Sequence, residues 1–430
     1  MAWKQALKPL AYAAGGLLLG TSGLVYLTPQ HELERSLLMP AIHTFTDAEG
    51  AHRLAVWAAK RKWVREDVSK YPELRVECFG LRFDNPVGLA AGFDKNGEAL
   101  PGLEMMGFGF VEIGSVTPRP QEGNPKPRVF RLLEDKAVIN RYGFNSDGMI
   151  EVADNLKEYR FRDGAFPTSD YTHGARMVNL GVNLGINKTS TDPPDDYMRG
   201  VSMLGRYADY IVINVSSPNT PGLRSLQATE PLKKILNAVN DEKLKQKLSA
   251  PLLLKIAPDL KNDDLESICD VIMDERSRVA GVILSNTTIS RPDTLNSNNK
   301  SETGGLSGQP LKQMSTELIK TVYKYTQGKL PIVGVGGVAT GQDAYDKIRA
   351  GASLVQLYTS LVYEGPSVVP QIKWELSELL ERDGFTHVSE AVGADVREEL
   401  EAVAADCTAE LEAGGADCRA ELEAVATAES

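Results

Sequence analysis

The stretch Ile211–Leu226, IVINVSSPNTPGLRSL, opens as a continuous apolar run and closes in two serines, an asparagine, a threonine and two prolines. A short apolar run without alternation reads as a strand buried on both faces. A plain turn needs fewer hydrogen-bonding side chains than follow Val215. The polar end is therefore read as a site at the carboxyl end of a buried parallel strand.

Runs of the same kind recur on both sides of it. Val87–Ala91, Phe110–Gly114, Val178–Leu184, Tyr210–Val215, Leu252–Ile256, Gly281–Ser285, Ile332–Val335 and Leu354–Tyr358 make eight, with helix-compatible stretches between most of them. Eight strand–helix units predict an α/β fold, a (β/α)8 barrel over residues 71–385. The hairpin Arg75–Phe79 with Leu81–Phe83 is expected to close its bottom.

Two segments precede the barrel. Pro9–Gln30 carries no charged residue, and its core Leu10–Leu27 is 18 mostly apolar residues. That is about 27 Å of helix, marginally enough to cross a bilayer. Residues 1–30 are thus expected to be a targeting leader with one transmembrane helix. A cleaved signal peptide and a buried helix are the alternatives. Thr28 and Pro29 suit the start of a second helix, whose face would carry Leu33, Leu37, Leu38 and Ile42. Thr46-Asp-Ala-Glu49 suits a capping box opening a third, with Ala51, Leu54, Ala55 and Ala58 on one face. This amphipathic pair, residues 31–70, either caps the barrel or forms an apolar entrance for a lipid-soluble ligand.

Residues 386–430 differ in kind. Ala394–Ala404, Ala405–Gly415 and Ala416–Ala426 repeat with a period of 11. From Ala394 to Ser430 the net charge is -9 of the chain's -11, so the acidity belongs to the tail. The remainder has no basic footprint for nucleic acid. Cys78, Cys269, Cys407 and Cys418 lack metal-ligand spacing and read as reduced thiols.

A barrel of this type carries its site at the carboxyl ends of its strands. Those ends supply Lys95 and Asn96, Ser115, Asn183, Asn214, Lys255, Asn286 with Thr287, and Tyr358 with Thr359. No histidine and no carboxylate cluster falls there, which argues against a metal site. Asparagine offers both donors and an acceptor, so converging asparagines suit a planar ring of alternating C=O and N–H groups. The "GVGGV" run at Gly334–Val338 suits phosphate, because glycines let backbone N–H groups approach its oxygens.

At these residues the chain resembles the dihydroorotate dehydrogenases. The resemblance is carried by "AAGFDKNGE", "INRYGFNSDG", "GVNLGINK", "NVSSPNTPGLRSLQ", "LLLKIAPDL", "SETGGLSG" and "GVGGVATGQDAYDKIRAGASLVQLYTSL", in family order from Asn85 to Gly365. "LMPAIHTF" and "AHRLAV" resemble the membrane-associated, quinone-reducing class of mitochondrial type. Serine rather than cysteine after the fourth strand agrees with that class.

The resemblance implies oxidation of dihydroorotate to orotate, the fourth step of de novo pyrimidine (UMP) biosynthesis. It implies FMN as cofactor, taking a hydride at N5, and ubiquinone as electron acceptor. It implies a mitochondrial inner-membrane protein in contact with lipid, with the barrel in the intermembrane space; Lys4 and Lys8 would stay on the matrix side. FMN contacts would fall at Ala91, Gly92, Lys95, Ser115, Asn183 and Asn214. Further ones would fall at Lys255, Ser285, Gly308, Gly337, Tyr358 and Thr359. Substrate contacts would involve Lys95, Asn140, Asn214, Asn219, Asn286 and Thr287, with Arg141, Tyr142, Gly143 and Phe144 beside them. A quinone route would pass Met39, Ile42, His52, Ala55, Arg131, Tyr358 and Leu361. Ser217 matches the base, Thr220 could carry its proton outward, and Lys255 would stabilise the reduced flavin.

Other readings remain open on the residues alone. Ser216 and Ser217 could cap the next helix. Lys255 could be the Schiff-base lysine of a barrel aldolase or lyase. His52 could be a satisfied core histidine. A membrane-tethered binding protein with a degenerate site is a third class.

Overall fold

The computed structural model describes residues 30–162 and 178–397. The expected membrane span, the Thr28–Pro29 helix start and most of the 11-residue repeat lie outside them. Among the described residues no helix is long and apolar enough to cross a membrane.

Contiguous helical turns Gln30–Leu33, Glu34–Leu38 and Met39–Phe45 form one helix (α1), and Ala48–Lys60 forms a second (α2). Asp47, not Thr46, caps α2, accepting from the Gly50 N–H at 2.7 Å. Thr46 instead closes α1, its hydroxyl donating to Ile42 O at 2.6 Å. Glu49 is drawn away from a capping box by Arg128, whose Nη2 lies 2.9 Å from it.

The barrel strands are Val87–Leu89 (β1), Phe110–Val116 (β2), Asn179–Leu184 (β3), Tyr210–Asn214 (β4), Leu252–Ile256 (β5), Val279–Leu284 (β6), Ile332–Val335 (β7) and Leu354–Leu357 (β8). Each pairs in parallel with its neighbour in sequence, and β8 closes on β1 through Val355–Val87, Gln356–Gly88 and Leu357–Leu89. All eight expected strands are present. Apolar residues dominate β2, β4 and β5, which are buried throughout because helices cover the outside and side chains fill the inside.

The bottom is sealed by the hairpin Val76–Cys78 with Leu81–Phe83. Phe83 meets Phe110 edge-on at 5.5 Å, and Phe110 in turn lies 6.3 Å from Tyr210. Phe110 fills the space that a side chain on Gly88 would need.

A second, antiparallel sheet was not foreseen. Val129–Leu132, Ala137–Asn140 and Gly305–Gly308 pair over the top of the barrel around a small core of Leu132, Ala137, Ile139, Leu295 and Leu306. At the other end of the chain, Val388–Ala391 and Val396 still pack on the barrel, and Arg349 binds Asp395 at 2.5 Å. Folded structure thus runs past residue 386, where the acidic tail was expected to begin.

Candidate active site

One cavity of about 590 Å³ lies above the barrel, enclosed by strand ends, the antiparallel sheet and the α1–α2 pair. Its inner part is polar. Asn214, at the end of β4, is fixed on every side. Its Nδ2 donates to Ser115 Oγ at 2.9 Å and Asn183 Oδ1 at 3.2 Å. Its Oδ1 accepts from Asn286 Nδ2 at 3.2 Å and Ser216 Oγ at 3.0 Å. The amide orientations are therefore set by the protein before any ligand arrives.

Beneath them lies a group that strand-end reading missed. Glu112, inside β2, is fully buried and accepts from Asn183 Nδ2 at 2.8 Å and Gln356 Nε2 at 2.7 Å. Lys255 Nζ stands 3.8 Å from the same carboxylate. Sequence held a signal for it: Glu112 is the one charge in the otherwise uncharged FVEIGSV.

The β4 loop roofs the cavity. Ser217 faces in, and its Oγ accepts from the Asn219 N–H at 3.3 Å. Asn219 Nδ2 reaches Asn140 Oδ1 at 3.3 Å, and Asn124 Nδ2 holds Asn219 O at 3.2 Å. Arg224 ties down the loop's root through Ser216 O at 3.1 Å, Thr287 O at 3.0 Å and Asp259 Oδ2 at 2.8 Å.

Lys95 is half-buried, with its ammonium 4.4 Å above the Tyr142 ring. Burial pushes its pKa down to about 8, with Arg128 adding to the fall and Glu49 opposing it. Tyr142 turns its hydroxyl to His52 Nδ1 at 2.9 Å, while His52 Nε2 donates to Phe93 O at 2.7 Å. The carbonyl can only accept, so Nε2 carries the proton and Nδ1 accepts from tyrosine. Burial pushes His52 down to about 4 and keeps it neutral. His52 is thus a satisfied histidine that also lines the cavity.

The outer part is apolar. Met39, Ile42, Ala55, Trp57 and Leu361 line it, with Arg131 at one wall. Arg131 Nη2 donates to Thr46 O, whereas Nη1 is buried without a hydrogen-bond partner among the described residues.

Most expected site residues converge on this cavity: all the quinone-route positions, all the flavin positions except Asn183, and the substrate positions except Arg141. Asn183 lies one layer below, supporting Ser115 and Asn214. Arg141 points outward, to Glu302 at 2.7 Å and Pro127 O at 3.0 Å, and is corrected from a ligand contact to a clamp on the antiparallel sheet. Thr220 does not reach the cavity; its hydroxyl is buried without a partner among the described residues.

A family model described as dihydroorotate dehydrogenase matches residues 73–380. The mitochondrial dihydroorotate dehydrogenase (quinone) of Mus musculus is 50% identical over 404 residues, covering 92% of this chain and all of the mouse protein. The chain belongs to the dihydroorotate dehydrogenase family. A bacterial member, the dihydroorotate dehydrogenase (quinone) of Azorhizobium caulinodans, is 49% identical over 84% of this chain and 99% of its own. The Eimeria tenella DHODH crystallised with ferulenol superposes with a TM-score of 0.76 at 45% identity, over 82% of this chain and 96% of that one. Membership of the dihydroorotate dehydrogenase family makes the chain an oxidoreductase on an eight-stranded barrel.

Proposed function

We propose that this chain oxidises dihydroorotate to orotate and passes the electrons, through bound FMN, to ubiquinone. The observation that carries the reading is the single cavity with two linings, one of fixed amides under Ser217 and one of apolar helix-pair side chains. A small polar ring suits the first and an isoprenoid quinone the second.

The residues present fit FMN. Gly336 and Gly337 take φ of +122° and +70° and line the cavity together with Thr359, and a Cβ on Gly337 would lie 2.5 Å from Lys312 Cβ. Backbone amides can therefore approach a phosphate there. Ser115, Lys255, Ser285 and Asn214 offer polar atoms to the ring system, and Gly308 and Ala91 leave room for it. When bound, FMN supplies a two-electron acceptor for the hydride lost from the substrate ring.

Everything else falls to the chain. Asn140, Asn214, Asn219 and Asn286 hold the ring's C=O and N–H edges, and Lys95 meets its carboxylate. Ser217 Oγ takes the proton from the ring carbon adjacent to the hydride donor as it passes its own proton on. A serine hydroxyl works as a base only when water is shut out, which the Asn219–Asn140 contact favours. Thr220, whose buried hydroxyl has no partner among the described residues, suits the relay outward. Arg131 Nη1 is a buried donor able to meet a quinone carbonyl. The mitochondrial relatives and the uncharged run after Lys4 and Lys8 support an inner-membrane anchor with the barrel in the intermembrane space.

The test is anaerobic. Dihydroorotate should bleach the bound flavin, and a ubiquinone analogue should restore its colour. A protein that binds FMN but is not bleached by dihydroorotate sinks the reading.

A further inference from the structure

The glycine loop after β7 rests on a buried cation that the proposed chemistry does not use. Lys347, on the helix Gly341–Arg349, is fully buried. Its Nζ donates to Ser315 Oγ, to Thr316 Oγ1 at 2.9 Å and to Lys312 O at 3.3 Å. All three acceptors are neutral. Asp343 and Asp346, on the same helix, pair instead with Lys312, at 2.5 and 3.2 Å. An ammonium buried without an anionic partner is costly unless something else supplies the charge. Burial pushes its pKa down to about 7, opposed by Asp343 and Asp346 and aided by Lys312.

The same side chain underlies the loop. A Cβ on Gly334 would come within 3.3 Å of Lys347 Cδ. Ser315 Oγ, which accepts from Lys347, donates to Gly336 O at 3.3 Å. Gly337 packs against Lys312 at the start of the helix Lys312–Tyr325. Cation, helix start and glycine loop form one block, with positive charge behind the loop and no carboxylate among the described residues paired to Lys347.

We propose that Lys347 is a positioning residue for the cofactor's phosphate: it stiffens the end of β7 and the Gly336–Gly337 loop through Ser315 and provides the charge that a phosphate dianion completes. The inference rests on the FMN reading above. A nearby dianion favours the protonated lysine, so phosphate and lysine stabilise each other, whereas riboflavin, lacking the phosphate, does not take part.

The full-length chain is stripped of flavin and titrated with FMN and with riboflavin, binding being read from flavin fluorescence. Lys347→Met keeps the volume and removes the charge, while Lys347→Gln also keeps a donor. Both variants should lose about tenfold or more in FMN affinity with riboflavin affinity unchanged. A variant that retains the wild-type preference for FMN over riboflavin overturns the inference and leaves the FMN reading intact. Equal loss of both flavins also overturns it, because the lysine is then scaffold. A wild-type chain without any preference for FMN removes the phosphate site itself, and with it both readings.

Discussion

Ser217 and Lys95 line the same pocket and are tested by different variables. Ser217→Ala should leave flavin bound yet slow its anaerobic reduction by about 100-fold or more, measured by stopped-flow absorbance. Ser217→Cys should retain more activity than alanine, since a thiolate is accessible near neutral pH. Near-wild-type reduction by the alanine variant would mean the base lies elsewhere. Lys95 responds to pH. Its folded pKa, about 8, lies below the ordinary lysine value because burial disfavours the charge. Between that pH and the ordinary value the unfolded chain holds the extra proton, so the empty protein gains stability as pH rises through this window. Orotate affinity should move the other way, falling as Lys95 discharges above about 8. A binding curve flat from roughly pH 7 to 10 would remove Lys95 from the carboxylate site. The polar floor of this pocket was legible because polar side chains at apolar strand ends stand out. Arg141 misled because its neighbours in the loop do face the cavity, and loop sequence does not encode which way a long side chain turns. Glu112 was passed over because attention to strand ends ignores strand interiors.

At the scale of elements, the helix pair divides its labour. Glu49 of α2 binds Arg128, and His43 of α1 bonds Val362 O at 2.8 Å, so the pair is docked on the barrel by polar contacts at its edges. Its middle is left for the cavity, and its outer face leaves Phe45 85% and Trp63 just beyond it 69% exposed. Ala55 is the narrow place to intervene. Ala55→Trp should leave reduction by dihydroorotate intact and slow reoxidation by a ubiquinone analogue at least about tenfold, read as two separate half-reactions. Equal loss of both, in a protein still holding flavin, would make α2 structural support. The pair was readable from its 3.6-residue spacing. Its cap was misplaced by one residue, because Glu49 had a partner far away in sequence. The antiparallel sheet escaped notice for a related reason: its strands come from loops after β2 and after β6, and nothing local to either announces the other.

Across the whole molecule, what could be read was what repeats. Eight apolar runs, most of them separated by helix-compatible stretches, imply a closed barrel, since only closure gives every parallel strand two neighbours and a covered face. Run length placed the strand ends to within one or two residues, close enough that Lys95, Ser115, Asn214, Lys255 and Asn286 were picked out by position and line the cavity. What the pattern could not supply was contact between distant segments: α2 with the barrel rim, one sheet built from two loops, and Val388–Val396 laid back over the helix Gly341–Arg349.

The antiparallel sheet gives the cavity an uneven exposure to evolutionary change. Asn140 looks into the amide-lined pocket from one end of a strand whose Val138 looks into the apolar slot. The opposite wall of that slot comes from α1 and α2, which supply none of the barrel strands. A compound that competes for the slot therefore leans on side chains that stand outside the amide-lined pocket, where small changes leave dihydroorotate oxidation untouched. Resistance would be expected to arise first in Met39, Ile42 and Ala55, and selectivity between species to be written in the same few positions.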